Sequence, residues 1–354
     1  MDLGRPKSPR ERASNATRRR YLRLAGGSGI AGLAGCTALS RSGPDEITVG
    51  YKPMFPFLQA LLLDERGEFD RLSVDVETEN FGESGLTIMQ SFGRGDLDVA
   101  FVGITPAIVM QDRGLPGKVV AANNVEGFVF VGRDSFAERW ADHEGPVAFD
   151  AFEEERGRPV EFATPPESSV AYVLLHHWLE TMVGQPPADV DVTAMSGAGP
   201  VRQALVSGEA DATCIMEPIR TILTRADAPI SRLAWAGEFM SGQPGGVTVM
   251  HDRLRNDHPD LAAEFLELHE EATAFATENP DEAAEHVSNA IGSGTLPPEA
   301  AREALNSEAA NFVTDPREIV DDTPLFCDGM ADLERTEARI DAEDVFDFGP
   351  YDRL

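Results

Sequence analysis

Gly95-Asp-Leu-Asp-Val-Ala-Phe-Val-Gly-Ile-Thr-Pro106 and Gly208-Glu-Ala-Asp-Ala-Thr-Cys-Ile-Met-Glu-Pro218 are two writings of one phrase. In each, a Gly-acid-x-Asp turn feeds an apolar strand, and the strand ends at a Pro able to open a helix. The match continues upstream at the same offset. Gln90 and Phe92 fall opposite Gln203 and Leu205, and Ser84-Gly85 opposite Gly197-Ala198. Four residues of turn chemistry recur by chance; a longer match ending in Pro both times points to two similar α/β units. Each unit aims a strand end and a helix start at a shared cleft, which describes a clamshell.

Around the phrase, strands and helices alternate. Period-two and short apolar runs predict strands at 47–51, 72–78, 98–102, 119–122 and 128–132, then at 160–163, 191–195, 210–216 and 246–250. Helical spacing predicts helices at 57–63, 106–112, 170–182, 200–206 and from 219, with long ones at 261–277 and 281–291. The fold class is α/β: two open-sheet lobes joined by two crossover strands, 128–132 and 246–250. Lobe 1 is discontinuous, 47–127 plus 246–354, and lobe 2 is 128–245.

The first residues read as an export signal. Thr17-Arg18-Arg19-Arg20-Tyr21-Leu22-Arg23 precedes a Gly/Ala-rich apolar stretch ending in Leu33-Ala34-Gly35-Cys36. Consecutive arginines resemble a twin-arginine signal, and the last four residues resemble a lipobox whose Cys36 thiol takes a lipid. Residues 1–36 are then the signal and 37–46 a polar tether, placing the protein outside the cytoplasm on a membrane. Gly27-Ser28-Gly29-Ile30-Ala31-Gly32 fits a dinucleotide fingerprint, but no strand precedes it and it lies in the signal.

The formal charge is −31, from 30 basic and 61 acidic residues. Beyond residue 36 there are 22 basic and 59 acidic side chains, with Lys52 and Lys118 the only lysines. This composition resembles that of proteins from extreme halophiles. It offers no basic patch for nucleic acid. At about 1 M salt the Debye length is about 3 Å, so the charge does not act on a ligand from afar. Cys214 and Cys327 form the only available disulfide pair after Cys36, and spacing alone leaves their proximity open.

In order and spacing the chain resembles substrate-binding proteins of ABC importers, in the nitrate/sulfonate/taurine branch that includes bicarbonate and thiamine-pyrimidine-precursor binders. The resemblance is carried by Gly50-Tyr51, Phe81 to Gly85, Gly95-x-x-Asp98 to Pro106, and Pro165 to Leu175. Asp189-Val-Asp-Val, Gly208-x-x-Asp211-Ala with Glu217-Pro218, and Asp344-Val-Phe-Asp347 complete it. It implies the type II periplasmic-binding-protein fold, capture of a small solute between the lobes, and delivery to an ABC permease and its ATPase. A monomer is expected, without cofactor or metal.

Ligands of open α/β sheets sit beyond the carboxyl ends of strands, where helix starts offer N–H groups and partial positive charge. Those places here are Tyr51-Lys52-Pro53, Ser84-Gly85, Gly103-Ile104-Thr105, Glu167-Ser168-Ser169, Gly197 to Gly199 and Met216-Glu217. Ser168, Ser169 and Thr105 either donate to a ligand or cap their own helices. Lys52 is a ligand counter-ion or a solvated lysine; Arg202 and Arg220 are the other candidate cations. Glu217 meets a ligand amine or ring N–H, or caps the helix begun at Pro218. If Lys52 and Glu217 both face the cleft, a zwitterion fits better than a simple anion. An apolar wall from Tyr51, Phe55 or Phe81 would discriminate by shape.

Two other functional classes share this fold. One is an enzyme resembling a desulfinase or a thiamine-pyrimidine synthase, with Cys214 as nucleophile; no partner His is evident and no Gly-x-Ser-x-Gly occurs. The other is a sensory surface protein. Metal chemistry is disfavoured because His176-His177 are adjacent and the remaining histidines have no ligand spacing.

Overall fold

The computed structural model describes residues 44–82, 85–143 and 145–354. The signal, Cys36, most of the tether, and Ser84 lie outside the described residues. Strands are β1 (Glu46–Tyr51), β2 (Asp75–Asn80), β3 (Val99–Gly103), β4 (Gly117–Ala122), β5 (Asn124–Val125), β6 (Phe128–Arg133), β7 (Glu161–Thr164), β8 (Asp191–Ala194), β9 (Ala212–Met216), β10 (Ile230–Trp235), β11 (Gly246–His251) and β12 (Asn311–Phe312). The helices preceding the return crossing are α1 (Leu58–Glu65), α2 (Gly85–Arg94), α3 (Ile104–Asp112), α4 (Asp134–Asp142), α5 (Pro146–Arg156), α6 (Val170–His177), α7 (Ala198–Ser207) and α8 (Ile219–Arg225). After it come α9 (Asp252–Asp257), α10 (Pro259–Glu278), α11 (Pro280–Ile291), α12 (Pro298–Leu305) and α13 (Thr323–Asp332).

Two five-stranded sheets share one topology. The first runs β2-β1-β3-β11-β4 and the second β8-β7-β9-β6-β10. In each, the first three strands are parallel, and the fourth enters antiparallel between its neighbours. Those fourth strands, β6 and β11, are the segments expected to cross between lobes. Each joins its sheet just after the crossing, which is made by 123–127 and 236–245. The two crossing segments hydrogen-bond to each other: Glu126 N donates to Gln243 O at 2.8 Å and Gly245 N to Asn124 O at 3.2 Å.

The repeated phrase does the same structural work in both lobes. Gly95 and Gly208 end α2 and α7 at φ 79° and 81°, a left-handed conformation glycine adopts without a Cβ clash. Asp98 then accepts from Thr48 N at 2.9 Å and from Arg253 Nε at 2.6 Å. Asp211 accepts from Glu161 N at 3.0 Å and from both terminal nitrogens of Arg158, at 2.5 and 2.9 Å. In each case the carboxylate ties the start of the third strand to the start of the first.

The lobes are in contact behind the cleft. α13 packs against α3 of the first lobe and α6 of the second, and Gly329 allows the approach: a Cβ there would meet Val173 Cγ1 at 2.6 Å. One apolar cluster runs from Phe92 and Ile108 through Phe326 and Met330 to Leu174 and Trp178. Cys327 and Cys214 are both buried and not disulfide-bonded. Among the described residues no helix is long and apolar enough to cross a membrane.

Candidate functional site

The carboxyl ends of the parallel strands face one cavity of about 510 Å³ between the lobes. Four helices of eight or more residues begin on its wall, two from each lobe. α3 starts behind Gly103 and α7 behind Gly197, neither with a side-chain cap. α6 starts behind Ser169, whose hydroxyl accepts from Tyr172 N at 3.3 Å, and α2 starts at Gly85. The starts bring the positive ends of four aligned sets of peptide dipoles to one wall, an arrangement that stabilises negative charge.

Among the described residues the charged side chains on the wall are all cations: Lys52, Arg113 and Arg335 line the cavity and no described Asp or Glu does, in a chain with 61 acidic residues against 30 basic. Lys52 Nζ lies 5.3 Å from the Phe57 ring centroid, within cation–π range, and 3.7 Å from where a Cβ on Gly85 would stand. Its charge is therefore held beside the start of α2. Arg113 ends the α3 face, and Arg335 follows α13 and meets the Glu167 carboxylate at 2.9 Å. The remaining wall is mostly apolar, with Phe57, Phe128, Met89 and Met216 among its larger side chains.

Of the residues expected from the sequence, the cavity brings together Lys52, Gly85, Gly103, Ser168, Ser169 and Gly197. Tyr51, Pro53, Ile104, Thr105 and Glu217 are not on its wall. The Tyr51 hydroxyl donates to Asp64 Oδ2 at 2.5 Å, away from the cleft, and burial together with that carboxylate pushes its pKa up. Ile104 is fully buried, and its N–H donates to Gly245 O at 3.0 Å. Thr105 is also fully buried; its hydroxyl bridges the lobes, donating to Ser168 O at 2.8 Å.

Glu217 is buried behind the second-lobe wall and precedes a cis peptide bond to Pro218. Its carboxylate accepts from Thr221 N at 3.2 Å, as a helix cap would, and lies 3.7 Å from Arg220. Burial, the largest influence, raises its pKa. With Glu217 turned away from the cavity, the zwitterion argument loses its anionic half. Arg202 and Arg220 are off the wall as well.

The apolar wall comes from other residues than expected. Phe55 is buried near Phe312, ring centroids 6.3 Å apart, and Phe81 packs over Gly50; Phe57 and Phe128 take their place on the cavity. Strand-end reasoning also passed over Arg113 and Arg335. Cys214, the candidate nucleophile, is fully buried inside β9 with its thiol pKa pushed well up by desolvation, the opposite of an activated thiolate. His176 stacks on Tyr172 at 4.6 Å, and the described residues contain no His/Cys/Asp/Glu group that would hold a metal.

The NMT1-like family matches residues 40–292. The chain belongs to the NMT1-like family. No curated protein sequence matches it. Among solved structures it is similar to the aliphatic sulphonate binding protein SsuA from Escherichia coli, with TM-score 0.70, 15% identity, and coverage of 86% of this chain and 92% of that one. The alkanesulfonate-binding protein SsuA from Xanthomonas axonopodis pv. citri, bound to MOPS, gives TM-score 0.68 at 15% identity, covering 86% and 99%. The periplasmic nitrate-binding protein NrtA from Synechocystis PCC 6803 gives TM-score 0.68 at 14% identity, covering 87% and 88%. At these identities the likeness establishes the fold, that of periplasmic binding proteins.

Proposed function

We propose that this NMT1-like protein is the extracytoplasmic receptor of an ABC importer, capturing a small organic anion between its lobes and handing it to a permease with its ATPase. The observation that carries this reading is the cavity wall. Among the described residues it holds four helix starts and three cations and no Asp or Glu, within a strongly acidic chain. Chance placement would put more acidic than basic residues there. A volume of about 510 Å³ falls in the range of about 300–1,000 Å³ that buries organic molecules. Nitrate or bicarbonate alone would leave most of that space filled with water, so an alkanesulfonate or a similar anion with an apolar body fits better.

The polar end supplies charge-assisted hydrogen bonds, each contributing about 1.5–3 kcal/mol, and three or four of them reach the roughly 8 kcal/mol of micromolar binding. The apolar wall then selects against chloride, which has no body to bury. Hinge closure runs through 123–127 and 236–245. We propose further that the arginines at 18–20 direct twin-arginine export and that Cys36 carries the lipid tether, in a protein adapted to high salt.

Thermal unfolding in molar salt tests this reading against alkanesulfonates, taurine, nitrate and bicarbonate. At a hundredfold excess over Kd, a true ligand adds about 2.7 kcal/mol of stability. We expect an alkanesulfonate to do so and Lys52→Ala to abolish the effect. Silence of the whole panel, or an undiminished shift in the Lys52 variant, would overturn it.

A further inference from the structure

We propose that the ligand is elongated and carries an acidic group at each end, the second end being held by Arg113 and Arg335. This rests on the solute-binding reading above and specifies the class of solute. The cavity is long because one of its walls is a helix side. Gly103, Pro106, Val109 and Arg113 all line it, and they fall along one face of α3 and its two flanking residues. Ten residues of helix rise about 15 Å. Side chains lean toward the helix N-terminus, so the Arg113 guanidinium stands back from that limit, roughly 10 Å from the helix start.

The two ends are cationic and the middle is not. At one end stand Lys52 and the starts of α2 and α3; along those helices from there the wall is Pro106 and Val109 of α3 and Met89 of α2. At the other end a second element is pinned beside Arg113. Glu337 N and Ala338 N donate to the carboxylate of Asp112 at 3.1 to 3.4 Å, which holds the turn carrying Arg335 against the end of α3. Arg335 meets one carboxylate, Glu167, at 2.9 Å. Arg113 makes no ion pair with any described residue, although its chain carries 61 acidic residues.

Glu167 occupies Arg335 and the turn's backbone N–H groups occupy Asp112, which leaves the Arg113 guanidinium without an ion-pair partner among the described residues, and a planar guanidinium fork suits a carboxylate or sulfonate. A ligand with a single anionic head would satisfy the Lys52 end and leave the other one to water. A two-headed anion with an apolar spacer matches both. The apolar midsection excludes a uniformly polar chain.

Isothermal titration of the protein in molar salt with suberate and with octanoate, which share a chain length and differ by one carboxylate, tests the inference. Suberate should bind at least about tenfold more tightly. In the Arg113→Ala, Arg335→Ala double variant that preference, read as the ratio of the two affinities, should collapse toward equality. Equal affinities in the parent, or a preference that survives the double variant, would sink the two-headed ligand and leave the receptor reading intact. Absence of binding by either compound would also overturn it. The receptor reading then stands or falls on the broader panel and Lys52→Ala, which do not involve these arginines.

Discussion

At one register position the two lobes present opposite surfaces to the cavity. In lobe 1, Gly103 of β3 pairs with Gly246 of β11; in lobe 2, Met216 of β9 pairs with Phe128 of β6. All four line the cavity, and Gly103 and Met216 are the same position of the repeated phrase. The scaffold beneath them is shared down to the carboxylates of Asp98 and Asp211. What differs is the wall, bare backbone on one side and bulky apolar side chains on the other. A duplicated frame thus keeps its anchoring chemistry while the facing surfaces diverge, and a ligand between them meets a thin polar lip opposite an apolar bed.

Replacing those wall residues is the most forceful way to break the comparison. Phe128 is 1% exposed, so Phe128→Ala should cost about 3–5 kcal/mol of stability through lost burial and a residual cavity. Gly246→Ala should fail for the opposite reason. Its Cβ would stand 2.1 Å from the Pro56 carbonyl oxygen, a backbone atom that cannot swing aside, and overpacking of this kind costs about 1–3 kcal/mol or more. Urea unfolding in molar salt measures both. A neutral Gly246→Ala would show that the lobe 1 wall has room for a side chain, removing the contrast.

The shared anchors come next. Asp98→Ala removes acceptors for Thr48 N and Arg253, and Asp211→Ala removes those for Glu161 N and Arg158. Hydrogen bonds to charged groups contribute about 1.5–3 kcal/mol, and both arginines are partly exposed, so each variant should lose about 2–3 kcal/mol. Near-equal losses would sharpen the equivalence of the lobes. A loss confined to one lobe would mean that the phrase is repeated in sequence but not in energetics.

Those anchors were legible because their chemistry is local. A glycine ending a helix, followed by an Asp that accepts from a strand start, leaves its mark within four residues, twice. Alternating strands and helices likewise announce an open α/β sheet. The cavity was legible only where it is built from strand ends: Lys52, Gly103 and Ser169 stand within a residue of such an end or at a helix cap. Arg113 and Arg335 escaped that logic. One sits at the far end of α3, and the other on a turn brought in by α13, so only tertiary packing unites them. Phe55 and Phe57 show the same limit, since two residues separate a core ring from a wall ring and no periodicity marks which is which. Tyr51 ends a strand, yet its hydroxyl is claimed by Asp64 on α1, a partner that sequence spacing does not reveal.

The lobes also bury titratable groups of opposite sign, and this yields the smallest and most discriminating expected effect. In lobe 1, His269 on α10 is fully buried, stacks near Phe101 and meets Asn123 at 2.9 Å; burial lowers its pKa from 6.5 to about 3. The unfolded chain takes up that proton below pH 6.5 and the native state does not. Stability is therefore lost on acidification, by up to about 1.4 kcal/mol per pH unit. In lobe 2, Glu217 has a raised pKa, so the native state holds its proton longer than the unfolded chain. Its contribution is present below pH 4.5 and is lost as pH rises through the raised value. From pH 4.5 up to the raised value of Glu217 the two slopes oppose each other. His269→Gln should make the protein less acid-sensitive than its parent, and Glu217→Gln should make it more so, whatever each variant does to absolute stability. Urea midpoints at several pH values in that window decide the matter. Parallel profiles for parent and both variants would mean that neither lobe's buried group titrates with folding, and the electrostatic half of the comparison would fall.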